Sequence, residues 1–122
     1  MHIRTQLRDL LVERLPDTWD VRADARDVDA LEPDHPAVLI MSARITPGPG
    51  PAWRTHEVLV RVLSPLTDPE QVDDDLDDLL DTLTDALVGL DPLTWTEAVR
   101  GVHGDRLHCW TLTLTAPARK DA

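Results

Sequence analysis

Carboxylates are the most abundant chemical groups in this sequence, and five of them stand together. Asp73, Asp74, Asp75, Asp77 and Asp78 offer the hard oxygen ligands that calcium prefers, provided the chain around them forms a loop. An EF-hand loop also needs a glycine at its sixth position and a carboxylate at its twelfth. This run has no glycine, and it lies on a helical period. The expectation is therefore a solvated acidic face without a bound metal. His103, His108 and Cys109 form the second cluster, because a paired Cys and His can generate a thiolate nucleophile. Neighbouring residues on a strand point to opposite faces, so His108 and Cys109 should diverge. Cys109 then reads as a small core residue. His35 and His56 sit in or beside loops without ligand spacing. The chain has no G-x-S-x-G elbow, Gly-rich phosphate loop, H-E-x-x-H or C-x-x-C. We expect no catalytic residue, no cofactor and no metal site, hence not an enzyme.

What remains is chemistry of contact. Between Arg61 and Arg100 there is no Lys or Arg but eleven acids, and the other 12 acids balance all 12 bases. The formal net charge of −11 is thus confined to one stretch. Such segregation concerns what the molecule must meet or avoid more than how it folds. It argues against a surface that grips nucleic acid, which needs clustered Lys and Arg. Asp73, Asp74, Asp77, Asp78, Asp81 and Asp85 are the candidate acidic face, lining a channel or facing solvent. Trp53 and Arg54, beside a Pro/Gly-rich segment, are the candidate subunit or partner contact, since exposed Trp and Arg make strong interface anchors.

The elements that position these residues follow from periodicity. At 122 residues the chain fits one domain, 1–122. It has no Phe or Tyr, so Leu and Val must build the core around four Trp. Ile3, Leu7, Leu10, Leu11 and Leu15 form one apolar stripe on a helical period, ended by Pro16. A short strand is expected over Thr18–Ala23 and a loop over Asp24–Pro36. Ala37–Ile45 and Arg54–Leu63 read as a long hairpin around Thr46-Pro47-Gly48-Pro49-Gly50-Pro51. Val58, Val60 and Val62 share one of its faces, and Leu59 and Leu63 the other. A second helix opens at Asp68 as cap, Pro69 at the first helical position and Gln71 completing a capping box. Its stripe is Val72, Leu76, Leu79, Leu80, Leu83, Leu87 and Leu90, and Gly89 suits its end.

A second hairpin is expected from Leu93–Val102 and Arg106–Thr115, turning at Gly104 and Asp105. In its first strand Leu93, Trp95, Glu97 and Val99 should share a face. Residues 117–122 should be a disordered tail. The predicted fold class is α+β: an antiparallel sheet built from two hairpins, with two helices packed on one face, in the order α-β-β-β-α-β-β. The start, Met1 to Leu11, has no apolar run and reads as neither a signal peptide nor a membrane span. A single cysteine forms no internal disulfide and suits a cytoplasmic origin. Eleven Arg against one Lys look like high-GC coding.

Taken in order, the first helix, the hairpin MSARITPGPGPAWRTHEVLVRVLSP, the helix DPEQVDDDLDDLLDTLTDALVGL and the closing strands LTWTEAVRGVHGDRLHCWTLTLTAP resemble the tail terminator proteins of actinobacterial long-tailed phages. The resemblance covers most of residues 37–116 and is carried by pattern, length and order. It implies a small α+β virion structural protein made in the host cytoplasm. Such proteins form a ring, commonly a homohexamer, that caps the tail tube in the neck of the particle and joins it to the head-tail connector protein. DNA would pass through the ring without specific binding, with no role for a membrane. It also implies no catalytic residues. Two other readings compete: a neighbouring head-tail connector or neck protein, and, from a different class, an acidic inhibitor that mimics DNA to block a nucleic-acid-binding enzyme, which also explains the dense carboxylates.

Overall fold

The computed structural model describes residues 3–23, 35–48, 50–66, 68–89, 93–103 and 107–119. Its elements are α1 (Ile3–Arg14), β1 (Asp20–Arg22), β2 (Ala37–Pro47), β3 (Trp53–Leu63), α2 (Pro69–Ala86), β4 (Thr94–His103) and β5 (Leu107–Arg119). The order is α-β-β-β-α-β-β and the class α+β, as the periodicities predict. Most of the loop expected over Asp24–Pro36, the turn at Gly104 and Asp105, and Leu90 of the second stripe lie outside the described residues.

The five strands form one sheet in the order β1-β2-β3-β5-β4. β2–β3, β3–β5 and β4–β5 are antiparallel, whereas β1 pairs with β2 in parallel. The sheet is therefore mixed rather than wholly antiparallel. Fourteen residues separate Arg22 from Ala37, enough chain for the return that a parallel pairing requires.

Alternation assigns the two faces. Val38 and Ile40 of β2, Val58, Val60 and Val62 of β3, and Leu112 and Leu114 of β5 turn toward the helices. There they meet Leu7, Leu11 and Leu15 from the first stripe, and Val72, Leu76, Leu79 and Leu83 from the second. α1 lies across β1 and β2, and α2 across β3 and β5. Each Leu so buried contributes about 1.5–3 kcal/mol of transfer free energy, and this stripe-on-sheet contact is the main source of stability. The opposite face holds a smaller cluster of Ala37, Leu39, Leu63 and Cys109.

Three local features depart from simple alternation. Register slips between Ser42 and Arg44, and again between Trp95 and Glu97, so Ala43 and Thr96 are the extra residues of two bulges. The second bulge overturns the expected grouping in β4: Trp95 stands opposite Leu114 and Ala98 opposite Leu112. Trp95 thus shares the helix side with Ala98 and Arg100, not with Glu97 and Val99. The third departure is at the end of β5, where 117–119 were expected in a disordered tail. Pro117 pairs in register with Thr55 and Arg119 with Trp53. β4 ends opposite Thr115, so among the described residues Pro117 lies where β5 has a neighbour on one side only, a place that tolerates a missing N–H.

The core ends at Ile40, Val58 and Leu114, but the strands do not. β2, β3 and β5 run on for several more residues as a three-stranded extension. Its β2 edge has no neighbour beyond Leu39 among the described residues.

Candidate functional site

α2 is built to begin sharply. The Asp68 carboxylate accepts from the Glu70 N–H at 3.0 Å, and Pro69 occupies the first helical position, where a missing donor costs nothing. Its eight acids and no bases are arranged by the same period that buries Leu76 and Leu83. Asp73, Asp74, Asp77, Asp78, Asp81 and Asp85 are all exposed, so the candidate acidic face turns to the protein surface. Among the described residues no group of three or more His, Cys, Asp or Glu is placed to hold a metal ion.

Two of the helix's acids are tied to the sheet. The fully buried Ser64, just after β3, donates its hydroxyl to Asp75 at 2.5 Å and accepts from the Leu66 N–H at 3.1 Å. This link fixes the second turn of α2 against the end of β3. Asp73 pairs with Arg100 of β4, whose guanidinium also lies 5.8 Å above the centre of the Trp110 ring. The Trp110 Nε1 beneath is enclosed without a hydrogen-bond partner among the described residues. Sequence reading misses this trio because neither spacing nor type marks Arg100; only the pairing of β4 with β5 brings it over Trp110.

The far end of α2 presents a different problem. Its last turn contains no base, although carbonyls at a helix C-terminus favour positive charge. Arg14, the last residue of α1, supplies it by donating from Nη1 to the carbonyls of Ala86 at 3.0 Å and Val88 at 2.9 Å. Gly89 then turns the chain away at φ +77°, a left-handed value suited to glycine.

The second candidate lies at the sheet extension. The Gly48 N–H donates to the Trp53 carbonyl and the Trp53 N–H to the Gly50 carbonyl, both at 3.0 Å, closing the turn. A Cβ on Gly48 would lie 2.7 Å from the Trp53 carbonyl carbon, so the turn requires glycine there. Trp53 and Arg54 are both exposed, but as successive strand residues they occupy opposite faces and do not form one anchor. Trp53 shares its face with Thr55 and Glu57. Arg54 shares the helix side with His56, which pairs in register with Ile45 and Ala116. Ile45 (52% exposed), Trp53 (38%) and Trp95 (44%) leave large apolar surface at this end of the sheet. Ile45 and Trp95 escape sequence reading because the bulges at Ala43 and Thr96 shift their phase.

Cys109 is buried. Burial pushes its thiol pKa up, opposed by the nearby Arg61 charge, a Thr111 hydrogen bond and Arg100. His108 and Cys109 fall on opposite faces, since His108 stands opposite Val102 and Cys109 opposite Gly101. A raised pKa favours the thiol over the thiolate, against nucleophilic use. On its face of the sheet Cys109 borders a trough of about 310 Å³, lined in part by Arg61, Glu97, Val99 and Thr111.

No protein-family model matches this chain, and no curated protein matches its sequence. No helix among the described residues is long and apolar enough to cross a membrane.

Proposed function

We propose that this chain is a tail terminator, a virion structural protein that closes the tail tube as a ring of six and presents it to the head-tail connector. The observation that carries the reading is the disposition of α2. One helix concentrates eight acids and turns most of them to the protein surface, whereas everything outside the stretch between Arg61 and Arg100 sums to zero. In a ring with that helix toward the lumen, the wall would repel the phosphate backbone and let DNA pass without sticking. The edges of β4 and of β2 beyond Leu39, which have no neighbour among the described residues, and the apolar end of the sheet provide surface for joining neighbours. The order of elements supports the resemblance on which the reading rests. In this role the chain supplies shape, charge and contacts rather than catalysis.

A reconstruction of the particle neck tests it. The expected result is six copies of this chain in a closed ring at the head-tail junction. Isolated monomers there, or copies located elsewhere in the particle, would overturn it.

A further inference from the structure

β4 is an outer strand of the sheet, with no neighbour beyond it among the described residues. Proteins blunt such edges with Pro, Lys or bulges. The β2 edge has both Pro47 and a bulge at Ala43, whereas β4 contains neither Pro nor Lys. It also leaves three large apolar side chains in water: Trp95 (44% exposed), Val99 (55%) and Val102 (53%). Their spacing is symmetric. Val99 stands opposite Thr111, Trp95 opposite Leu114 three places to one side, and Val102 opposite His108 three places to the other. The bulge at Thr96 makes it so, because the extra residue brings Trp95 to the helix side that Val102 occupies, while Val99 points to the other face.

We infer that β4 pairs antiparallel with β4 of a second copy of this chain, about a two-fold axis that passes beside Val99 perpendicular to the sheet. Rotation about that axis keeps every side chain on its own face. It sets Val99 against its counterpart, and Trp95 of each copy against Val102 of the other. Glu97 then faces Gly101 and Arg100 faces Ala98, so no two like charges stand opposite. The alternative registers that preserve the faces are poorer. An axis at Arg100 opposes two Arg, one at Glu97 opposes two Glu, and one at Ala98 sets Glu97 against Val99. The contact is isologous and closes at two copies, so it is a form of the free subunit. It does not rest on the ring proposed above, in which β4 would change partners.

Sedimentation velocity of the full chain from micromolar to millimolar concentration, at low and high salt, tests the pairing. The expected result is a dimer that grows no further and that salt strengthens, because screening relieves the repulsion between two chains of formal charge −11. Val99→Lys should weaken dimerisation by about tenfold or more, since two cations then meet at the axis, and should leave the circular dichroism unchanged. With a mild oxidant, Val99→Cys should form a covalent dimer about tenfold faster than Val88→Cys, because pairing holds the two sulfurs together. Val88, just past α2, is 71% exposed, and the native Cys109 is buried. A parent that stays monomeric at millimolar concentration in high salt overturns the proposal, as does growth past two copies. So does a dimer that Val99→Lys leaves unchanged, or cross-linking no faster at Val99→Cys than at Val88→Cys; either result places the contact elsewhere.

Discussion

Arg100 of the edge strand is ion-paired to Asp73 of α2, and among the described residues no other acid of that helix meets a base. The Asp73 side chain remains 69% exposed. Exposed pairs of this kind contribute about 0.2–1 kcal/mol, and the cation over the Trp110 ring about 0.5–1 kcal/mol more. Arg100→Ala should therefore cost about 1 kcal/mol in denaturant unfolding, and Asp73→Asn clearly less. A double-mutant cycle should give a coupling below about 1 kcal/mol that shrinks with salt. Coupling of several kcal/mol would mean the pair is shielded from water.

The acids of α2 and its leucines should respond in opposite ways. Leu79 is nearly buried, so Leu79→Ala should lose about 2–3 kcal/mol. Asp74→Asn with Asp78→Asn relieves like charges four residues apart and should leave stability unchanged or raised by a few tenths of a kcal/mol. Thermal melts of both variants, with and without calcium, check this. A calcium-dependent rise in the parent's midpoint that the Asn variant lacks would reveal a metal site.

At the hairpin tip, Gly48→Ala should be more harmful than Trp53→Ala. The first places a methyl against the Trp53 carbonyl carbon and Cβ, and relieving such overpacking costs about 1–3 kcal/mol. The second removes a partly exposed ring and should leave cooperative unfolding intact, and under the proposed function it should lower tail joining. Loss of the folded state in Trp53→Ala would mark it as core.

Cys109 gives the fold an alkaline limit. Its pKa in the folded chain is raised from an ordinary 9.0, chiefly by desolvation. The unfolded chain therefore releases this proton at lower pH than the folded one. Between the two values the folded state holds more protons, so stability is complete below about 9 and falls as pH rises toward the folded value. Melting from pH 7 to 10 should show this decline, and Cys109→Ala should flatten it. In the native protein at pH 7, thiol reagents should react much more slowly than after denaturation.

How far the sequence reveals the fold depends on whether the determining contact is local. The stripes of α1 and α2, the Asp68 cap and the alternating Val58, Val60 and Val62 are legible because each depends on residues within a turn or two. The bulges at Ala43 and Thr96 are not, since an extra residue shows only when a strand is laid against its partner. The parallel pairing of β1 and the strand character of Pro117 escape for the same reason. Of the candidate site, the outward acidic face follows from helical period alone. The separation of Trp53 from Arg54 follows from strand alternation once β3 is known to begin at Trp53 rather than at Arg54.

The strand order has a consequence for biosynthesis. β5 lies between β3 and β4 in the sheet yet follows both in the chain. A nascent chain completed through β4 still exposes one bare edge of β3, with Val58 and Val60 half covered. Such an edge invites pairing with another unfinished chain on the same messenger. Any chain in which β5 has not yet joined the sheet already carries the eight acids of α2, so two such chains meet with like charge. Like charge on α2 therefore disfavours edge-to-edge pairing between chains whose sheet β5 has not yet closed.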